Sequence, residues 1–313
     1  MPRLSSTALP VVVFAALAVS SVMLSPFLVY LLTIIVARAL VVLGLLVLWR
    51  TGLMSFGQAL FFGLGAYAVG LSQKYWGLRD AFALVALGIL AAALVAWVLG
   101  FLLRQYRDIF FAMLSLAFSM ILYGTLVKSR MLGSTDGFTI LSPRFLGWAP
   151  ASATANLVLL LLTLAIAAAA AFLVERYLAS PMGHLATAIR DNEIRVEYLG
   201  FSARRAIHVK YLIAAAASGA GGALVALAVG HIDPDMTYWT TSGEFVFITI
   251  LAGSGSVLAP FLGAAIFEGL RTYATDYAPY SWQMVLGISL LLLICFLPNG
   301  VWSLFSLRRR PAP

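Results

Sequence analysis

Two charged residues lie inside long apolar stretches of the sequence, where a charge needs a partner. Arg38 is near the middle of the apolar stretch Leu28–Trp49. A guanidinium at the centre of a membrane-spanning helix costs about 2.5–3.5 kcal/mol. Glu268, near the end of another apolar stretch, is a candidate partner for it. The pattern predicts either an ion pair between helices or subunits, or attraction of a ligand carboxylate to a translocation path.

Two clusters of small and polar residues interrupt other apolar stretches. One contains Ser55, Gly57 and Gln58, and the other is the tripeptide Gly253-Ser254-Gly255. A break in a helix frees backbone polar groups, which are tolerated at membrane depth only against protein or a water-filled cavity. These residues are therefore candidates for the lining of a conduit, and close helix packing through small residues is the alternative.

The sequence contains no motif for catalysis, cofactor binding or metal binding. No lysine follows a glycine, so the phosphate-binding sequence G-x-x-x-x-G-K-[ST] is absent. H-E-x-x-H and G-x-S-x-G are also absent, and the three histidines are well separated. We therefore expect no catalytic residue, no metal and no cofactor, and the energy for any uphill work must come from another protein.

The composition excludes a water-soluble enzyme. Of 313 residues, 62% are hydrophobic and 10% are charged, with a mean hydropathy of +1.00. Soluble domains carry about 45–50% apolar and about 25% charged residues. The net charge of +8 comes from basic residues that separate apolar stretches instead of forming one patch, which indicates a lipid bilayer, and no nucleic acid, as a partner. The single cysteine, Cys295, excludes an intrachain disulfide.

The apolar stretches predict an all-α integral membrane protein with about eight transmembrane helices, since about 20 apolar residues cross the hydrocarbon core. A further stretch, Glu244–Leu270, is broken at Gly253-Ser254-Gly255 and at Pro260, so it is either one broken helix or a re-entrant pair. We expect residues 1–313 to form a single transmembrane domain. A similarity between Phe62–Ala66 and Phe261–Ala265 indicates either internal duplication or coincidence. The predicted spans are Thr7–Leu24, Leu28–Trp49, Met54–Ser72, Ala81–Leu103, Ile109–Val127, Ala155–Leu173, Ile207–Val229 and Trp282–Leu297.

Lysine and arginine residues set the predicted orientation, because cytoplasmic loops carry an excess of them. If Glu244–Leu270 is re-entrant, most basic residues fall on one side and both termini are cytoplasmic. If that stretch crosses once, the C-terminal Arg308-Arg309-Arg310 falls outside, which the rule disfavours. The first stretch could be a signal peptide, but its length and its direct continuation through Ser25-Pro26 favour a retained helix.

The predicted cytoplasmic loop at residues 180–201, hereafter the coupling loop, has the pattern of a short amphipathic helix. Ser180-Pro181 suits a helix start, and Gly200 suits a helix end. Because its polar face mixes acids and bases, we favour docking into a groove of a partner protein over adhesion to lipid headgroups. The apolar face holds Leu185, Ala188, Ile189, Val196 and Leu199, and the charged face holds Arg190, Asp191, Glu193, Arg195 and Glu197.

Several ordered segments resemble one family of membrane proteins. They are the coupling loop, Tyr211–Gly222, His231–Pro234, Gly52–Ala59, Gly63–Tyr67, Gly133–Gly137 and Glu244–Ala265. From about Leu28 to Leu297, the ordered set is similar to the membrane subunit of branched-chain amino acid ABC importers. The resemblance implies a permease that pairs with a homologous sister permease, two cytoplasmic ATPase subunits and a periplasmic substrate-binding protein in a bacterial inner membrane.

The resemblance also implies roles for the candidate residues. The coupling loop would be the coupling helix seated in a cleft of the ATPase. Where the family often has two further arginines, this chain has His184 and Thr187, so individual ion pairs with the ATPase do not follow. The candidate coupling residues are Gly183, Ala188, Ile189, Arg190, Asp191, Asn192, Glu193, Tyr198 and Gly200. The candidate path residues are Arg38, Ser55, Gly57, Gln58, Gly253, Ser254, Gly255 and Glu268.

Other interpretations stay open at the level of sequence. A self-contained secondary transporter would use Arg38 and Glu268 as an ion-coupled site at the bilayer midplane. A passive channel would need a filter-like ring of residues, for which the sequence gives no sign. The substrate is also open among branched-chain amino acids, urea, short amides and aromatic acids, because no residue in the sequence selects one of them.

Overall fold

The structure, a computed structural model, describes residues 8–277, 279–297 and 300–306. Its helices are α1 (Ala8–Ser20), α2 (Pro26–Trp49), α3 (Gln58–Trp76), α4 (Ala81–Leu103), α5 (Asp108–Lys128), α6 (Ser152–Leu178), α7 (Pro181–Tyr198), α8 (Ala203–Val229), α9 (Trp239–Ala252), α10 (Ala259–Tyr277), α11 (Trp282–Phe296) and α12 (Ser303–Ser306), and its short strands are β1 (Phe138–Thr139) and β2 (His231–Ile232). Among the described residues, 5 helices are apolar and long enough to cross a bilayer, within α2, α4, α5, α6 and α8. The predicted all-α membrane fold is confirmed.

Helices α2 and α8 run antiparallel through the centre of the bundle. Small residues bring their backbones into contact: a Cβ on Gly44 would lie 2.7 Å from the carbonyl oxygen of Ala214, and one on Gly221 would lie 2.5 Å from that of Ala37. Helices in lipid associate through such close packing, because apolar burial gives little driving force there. Helices α3 and α4 cover α8, and α6 covers α2.

Helix α3 begins inside the bundle instead of at its end. The sequence predicted a span from Met54, but residues 50–57 are not helical and α3 starts at Gln58. The Gln58 side chain meets Ser218 of α8, which lies roughly 22 Å along that helix at a rise of about 1.5 Å per residue. Residues 50–57, the inner segment, therefore run from the end of α2 to mid-depth. Such irregular backbone is tolerated in a membrane only where other protein shields it.

A second irregular segment, residues 230–238, approaches mid-depth from the opposite end of the bundle. This outer segment begins where α8 ends, pairs through β2 with β1, and includes a single 3-10 turn at Pro234–Thr237. Thr237 contacts Gly63 of α3, and α9 starts at Trp239. Because α2 and α8 are antiparallel, the two segments are inverted relative to each other. By position in the bundle, the counterpart of α3 is therefore α9. The similarity in sequence instead lies between α3 and α10.

The broken stretch forms two antiparallel helices, α9 and α10, joined by residues 253–258. A Cβ on Gly263 would lie 2.7 Å from the Cβ of Ala252, and Glu244 and Arg271 pair further along both helices. The connection is near the end of α2, because Arg50 donates a 2.9 Å hydrogen bond to the Ser254 carbonyl oxygen. The depth of this break in the bilayer stays a prediction. The two helices have 14 and 19 residues.

The coupling loop contains two helical pieces. Asn192 has φ −162° and ψ 99°, which interrupts α7, and its side-chain oxygen accepts from the Arg195 backbone N–H at 2.9 Å. The interruption changes the register of the second piece, so the predicted continuous apolar face is wrong. Ile189 and Val196 are buried as expected, but Ala188 and Leu199 are exposed.

The last described segment packs at the same end of the bundle as the α9–α10 connection. The backbone N–H groups of Val301 and Trp302 donate to the carbonyl oxygens of Leu251 and Ala252, at 2.8 and 3.3 Å. Arg3 and Arg308-Arg309-Arg310 lie outside the described residues, so the cytoplasmic location of both termini stays a prediction.

Candidate functional site

Seven neutral polar side chains are fully buried where the two irregular segments meet. This set, hereafter the polar centre, joins the start of α3 and the start of α9 to α5 and α8. The predicted path residues Ser55 and Gln58 belong to it, and Gly57 packs beside it. The polar centre consists of Ser55, Gln58, Ser115, Ser119, Ser218, Thr237 and Ser242.

Two serines of α5 hold both irregular segments. The Ser115 hydroxyl oxygen accepts from the Phe56 backbone N–H at 3.1 Å, and the Ser119 hydroxyl donates to the Thr237 carbonyl oxygen at 2.7 Å. A Cβ on Gly57 would lie 2.7 Å from the Ser115 carbonyl oxygen, so the inner segment touches α5 directly. Helix α5 thus satisfies backbone groups that would otherwise be unpaired at mid-depth.

The starts of α3 and α9 are also linked to each other. The Ser242 hydroxyl oxygen accepts from the Ala59 backbone N–H at 3.0 Å, and the Ser218 hydroxyl donates to Gln58 Oε1 at 2.7 Å. Gln58 Nε2 is buried and has no hydrogen-bond partner among the residues that the structure describes. A buried donor without a partner is costly, so this amide is available to a further hydrogen-bond acceptor.

A second polar group, partly buried and hereafter the ionic cluster, consists of Arg38, Glu244, Glu268 and Arg271. Arg38 Nη1 lies 2.7 Å from Glu268 and 2.9 Å from Glu244, and Arg271 lies 3.2 Å from Glu244. The structure thus brings the predicted pair Arg38 and Glu268 together. Glu244 lies within α9, which starts at Trp239, and it joins the ion pairs. The cluster connects α2, α9 and α10 into one charge-balanced unit.

The predicted path residues Gly253-Ser254-Gly255 do not reach the polar centre. Ser254 and Gly255 are exposed beside Arg50, and Gly253 packs closely against Gly300. Gly253 has φ 80° and ψ 166°, a conformation open in practice to glycine alone. Burial lowers the pKa of Arg50, although arginine remains charged at physiological pH. A role for this tripeptide in the path stays a prediction.

The coupling loop contacts the bundle on one side and exposes the other. The Arg190 side chain lies over Gly52, where an added Cβ would be 3.2 Å from Arg190 Cγ. Glu193 forms a salt bridge with Arg107 at 2.6 Å. Gly183 packs against the end of α6, and the side chain of Tyr198 is 88% exposed. The other predicted coupling residues Ala188, Asp191, Asn192 and Gly200 are exposed, and Ile189 is buried.

Sequence reasoning missed most of the polar centre. It found the two members next to Gly57 but not Ser115, Ser119 or Ser242. A signal existed in α5, because its only two serines lie four residues apart within its apolar middle part and so share one face. Thr237 and Ser242 lie in segments whose depth in the bundle follows from tertiary packing alone.

The described residues contain no group of three or more His, Cys, Asp or Glu side chains that could hold a metal ion. The profile of a family described as branched-chain amino acid transport system / permease component matches residues 27–297. The chain belongs to this family. It is therefore a transport permease component, and it lies in a membrane as a multi-pass protein.

Two relatives have the same degree of similarity. The high-affinity branched-chain amino acid transport system permease protein LivM of Escherichia coli (strain K12) is 27% identical over 286 residues, which cover 83% of this chain and 67% of the relative. The LivM protein of Salmonella typhimurium (strain LT2) matches with the same identity and coverage. No solved structure matches the chain significantly.

Proposed function

We propose that this permease forms the translocation path of an ABC importer for branched-chain amino acids and is driven by two partner ATPase subunits. The observation that carries the proposal is the coupling loop. It is capped as a separate element, is anchored by one side to the bundle, and leaves large apolar side chains exposed on the other. Family membership gives this element its expected role.

The exposed side of the coupling loop supplies the docking surface for the ATPase. Ile194 is 67% exposed, Tyr198 88% and Leu199 71%, and the interruption at Asn192 directs this second piece differently from the first. Large apolar side chains on a polar helix at the membrane boundary favour a protein groove as their environment. Tyrosine in particular is enriched at the energetic centre of protein interfaces.

The polar centre supplies the proposed path. Its side chains are neutral, and the N-terminal ends of α3 and α9 both lie there. The partial positive charge of a helix N-terminus stabilises a carboxylate, and discontinuous helices commonly present such ends to substrates at mid-depth. An amino acid with an apolar side chain suits a site that offers backbone N–H groups, hydroxyls and the Gln58 amide but no net charge.

The alternative of a self-contained, ion-coupled secondary transporter is not favoured. Arg38 already pairs with two carboxylates, and Arg271 pairs with one of them. The ionic cluster is therefore neutral as a whole and leaves no unpaired charge for a coupling ion. The complete importer would add a homologous sister permease and a periplasmic substrate-binding protein, in a bacterial inner membrane with both termini of this chain cytoplasmic.

The proposal is tested by reconstituting the chain in proteoliposomes with its sister permease, ATPases and binding protein. We expect ATP-dependent uptake of labelled leucine, isoleucine and valine, and none from the chain alone. Changing both Ile194→Asp and Tyr198→Asp should abolish ATPase co-purification and uptake while membrane insertion persists. The control is Gln105→Asp, at an exposed residue two positions before Arg107. It should leave ATPase co-purification and uptake intact.

Two results would contradict the proposal. Gradient-dependent uptake by the chain without its partners would support the secondary transporter. Full uptake by the doubly substituted chain would remove the coupling loop from the ATPase interface. Uptake of urea or an aromatic acid in place of leucine would keep the ATP-driven permease and correct the substrate.

A further inference from the structure

The Arg107 guanidinium makes four hydrogen bonds. Nε and Nη2 donate to the two carboxylate oxygens of Glu193, both at 2.6 Å. Nη1 donates to the carbonyl oxygens of Arg104 and Tyr106, both at 2.7 Å. The planar fork of arginine fits a carboxylate in this two-point manner, and such charge-assisted pairs are directional. One side chain therefore joins the end of α4 to the coupling loop.

Both partners of this ion pair lie next to interruptions of the backbone. Arg107 precedes Asp108, which has φ 48° at the first position of α5, an uncommon conformation for a residue other than glycine. Glu193 directly follows Asn192, the residue that interrupts α7. The ion pair thus connects the start of α5 to the interruption of α7, instead of two points within straight helices.

Helix α5 runs from Asp108, next to Arg107, to the polar centre. Among its side chains, only Phe111, Ser115, Ser119 and Leu126 are buried, so α5 is less enclosed by the bundle than α2, which is buried along most of its length. Its two serines hold the inner segment through Phe56 and the outer segment through Thr237. A displacement at the Arg107 end of α5 would therefore reach both irregular segments at once.

We propose that the Arg107–Glu193 ion pair transmits movement of the coupling loop to α5, and through Ser115 and Ser119 to the polar centre. This inference rests on the proposed function, because it takes the movement to originate in the ATPase. Arg107 and Glu193 are positioning residues here: neither contacts the substrate, and Glu193 faces its own chain instead of the ATPase.

The pair can be broken without unfolding the protein. The side chains of Arg107 and Glu193 are 25% and 28% exposed, and ion pairs near water contribute little to the stability of a fold. Transport and stability should therefore separate. Loss of a residue that merely holds the structure together would lower both.

The experiment uses the complete importer in proteoliposomes and measures leucine taken up per ATP hydrolysed. We compare Arg107→Glu, Glu193→Arg, the exchanged pair R107E/E193R and the control Arg204→Glu, an exposed arginine without an ion pair among the described residues. Each single reversal should lower uptake per ATP by about 5-fold, with ATPase co-purification and hydrolysis retained. The exchanged pair should recover most of the loss, and Arg204→Glu should show none.

Different failures have different meanings. Unchanged uptake per ATP in both single reversals, or no recovery in the exchanged pair despite a normal elution profile, would overturn the inference and leave the proposed function standing. Loss of ATPase co-purification on Glu193→Arg would also overturn it, because Glu193 would then be a docking residue. Absence of ATP-driven uptake in the unsubstituted complex would reject the proposed function, and this inference with it.

Discussion

The polar centre and the ionic cluster lie at similar depth on two sides of α9 but are built from opposite chemistry. Ser242 of α9 turns to α3, and two residues later Glu244 turns to α2 and α10. One group contains hydroxyls and an amide that are held by uncharged hydrogen bonds. The other contains two arginines and two glutamates in contact.

The difference indicates which parts of the bundle can move. A neutral hydrogen bond contributes about 1 kcal/mol net, so the bonds of the polar centre can be exchanged as helices shift. Removing one partner of a buried ion pair costs about 3–5 kcal/mol, so we expect the ionic cluster to stay intact during transport. We infer a rigid unit of α2, α9 and α10, and a movable contact between this unit and α5.

The largest effect is expected from Arg38→Met. The substitution leaves Glu268 buried without a cation and should lower the free energy of unfolding by about 3–5 kcal/mol, measured by denaturation in detergent. Arg271→Met is the matched control with a smaller expected loss, because Arg271 is more exposed and pairs with Glu244 alone. R38M/E268Q should recover part of the loss, and equal stability of Arg38→Met and the original chain would contradict a rigid ionic cluster.

The next effect concerns the contact of α3 with α8 beside the polar centre. A Cβ on Gly222 would overlap the Phe62 carbonyl oxygen, so Gly222→Ala should cost about 1–3 kcal/mol through overpacking. Gly124 of α5 has open space around it, and Gly124→Ala is the control, expected to leave stability unchanged or slightly higher. A tolerated Gly222→Ala would show that α3 and α8 are less closely packed than described.

A smaller stability effect but a larger transport effect is expected from Ser119→Ala. The loss of one hydrogen bond to Thr237 should cost about 1 kcal/mol, while leucine uptake falls because the outer segment is no longer held by α5. The control is Thr163→Ala, which removes a hydroxyl that donates to Leu159 within α6. It should lower stability about as much as Ser119→Ala does, but it should not lower uptake. Equal uptake by both variants would remove Ser119 from the moving contact.

The smallest stability effect is expected from Gln58→Met. The substitution removes the hydrogen bond from Ser218 to Gln58 Oε1, but it also removes the unpaired donor Nε2, so stability should change by no more than about 1 kcal/mol. Leucine uptake decides its role: a clear fall with normal folding supports contact with the substrate. Unchanged uptake would exclude Gln58 from the path.

Apolar length and pattern in the sequence were enough to predict the membrane fold and most helix boundaries. The stretches that became α2, α4, α5 and α8 end within a few residues of their predicted limits. The sequence also indicated Glu268 as a candidate partner for Arg38, because a charge in an apolar span needs an opposite charge.

The sequence could not predict how deep a break lies in the bundle or where a helix is interrupted, because neither feature changes the hydrophobic periodicity. The glycines at 253–255 mark a real break, but the lengths of α9 and α10 place it at the end of the bundle. Asn192 interrupts α7 although asparagine in a polar helix is unremarkable by sequence. The partner of Glu193 lies 86 residues away, in a short connection whose position depends on α4 and α5.

Spin-label distances in the complete importer test the movable contact most directly. In a Cys295→Ser background, one label pair would join exposed Met113 of α5 to Phe247 of α9, and a control pair would join Tyr30 of α2 to Phe247. Trapping the ATPases with ATP and vanadate should shift the α5–α9 distance by roughly 2 Å or more, a typical helix displacement, and leave the α2–α9 distance unchanged. No change in the first distance, or an equal change in both, would contradict a moving α5 beside a rigid ion-paired unit.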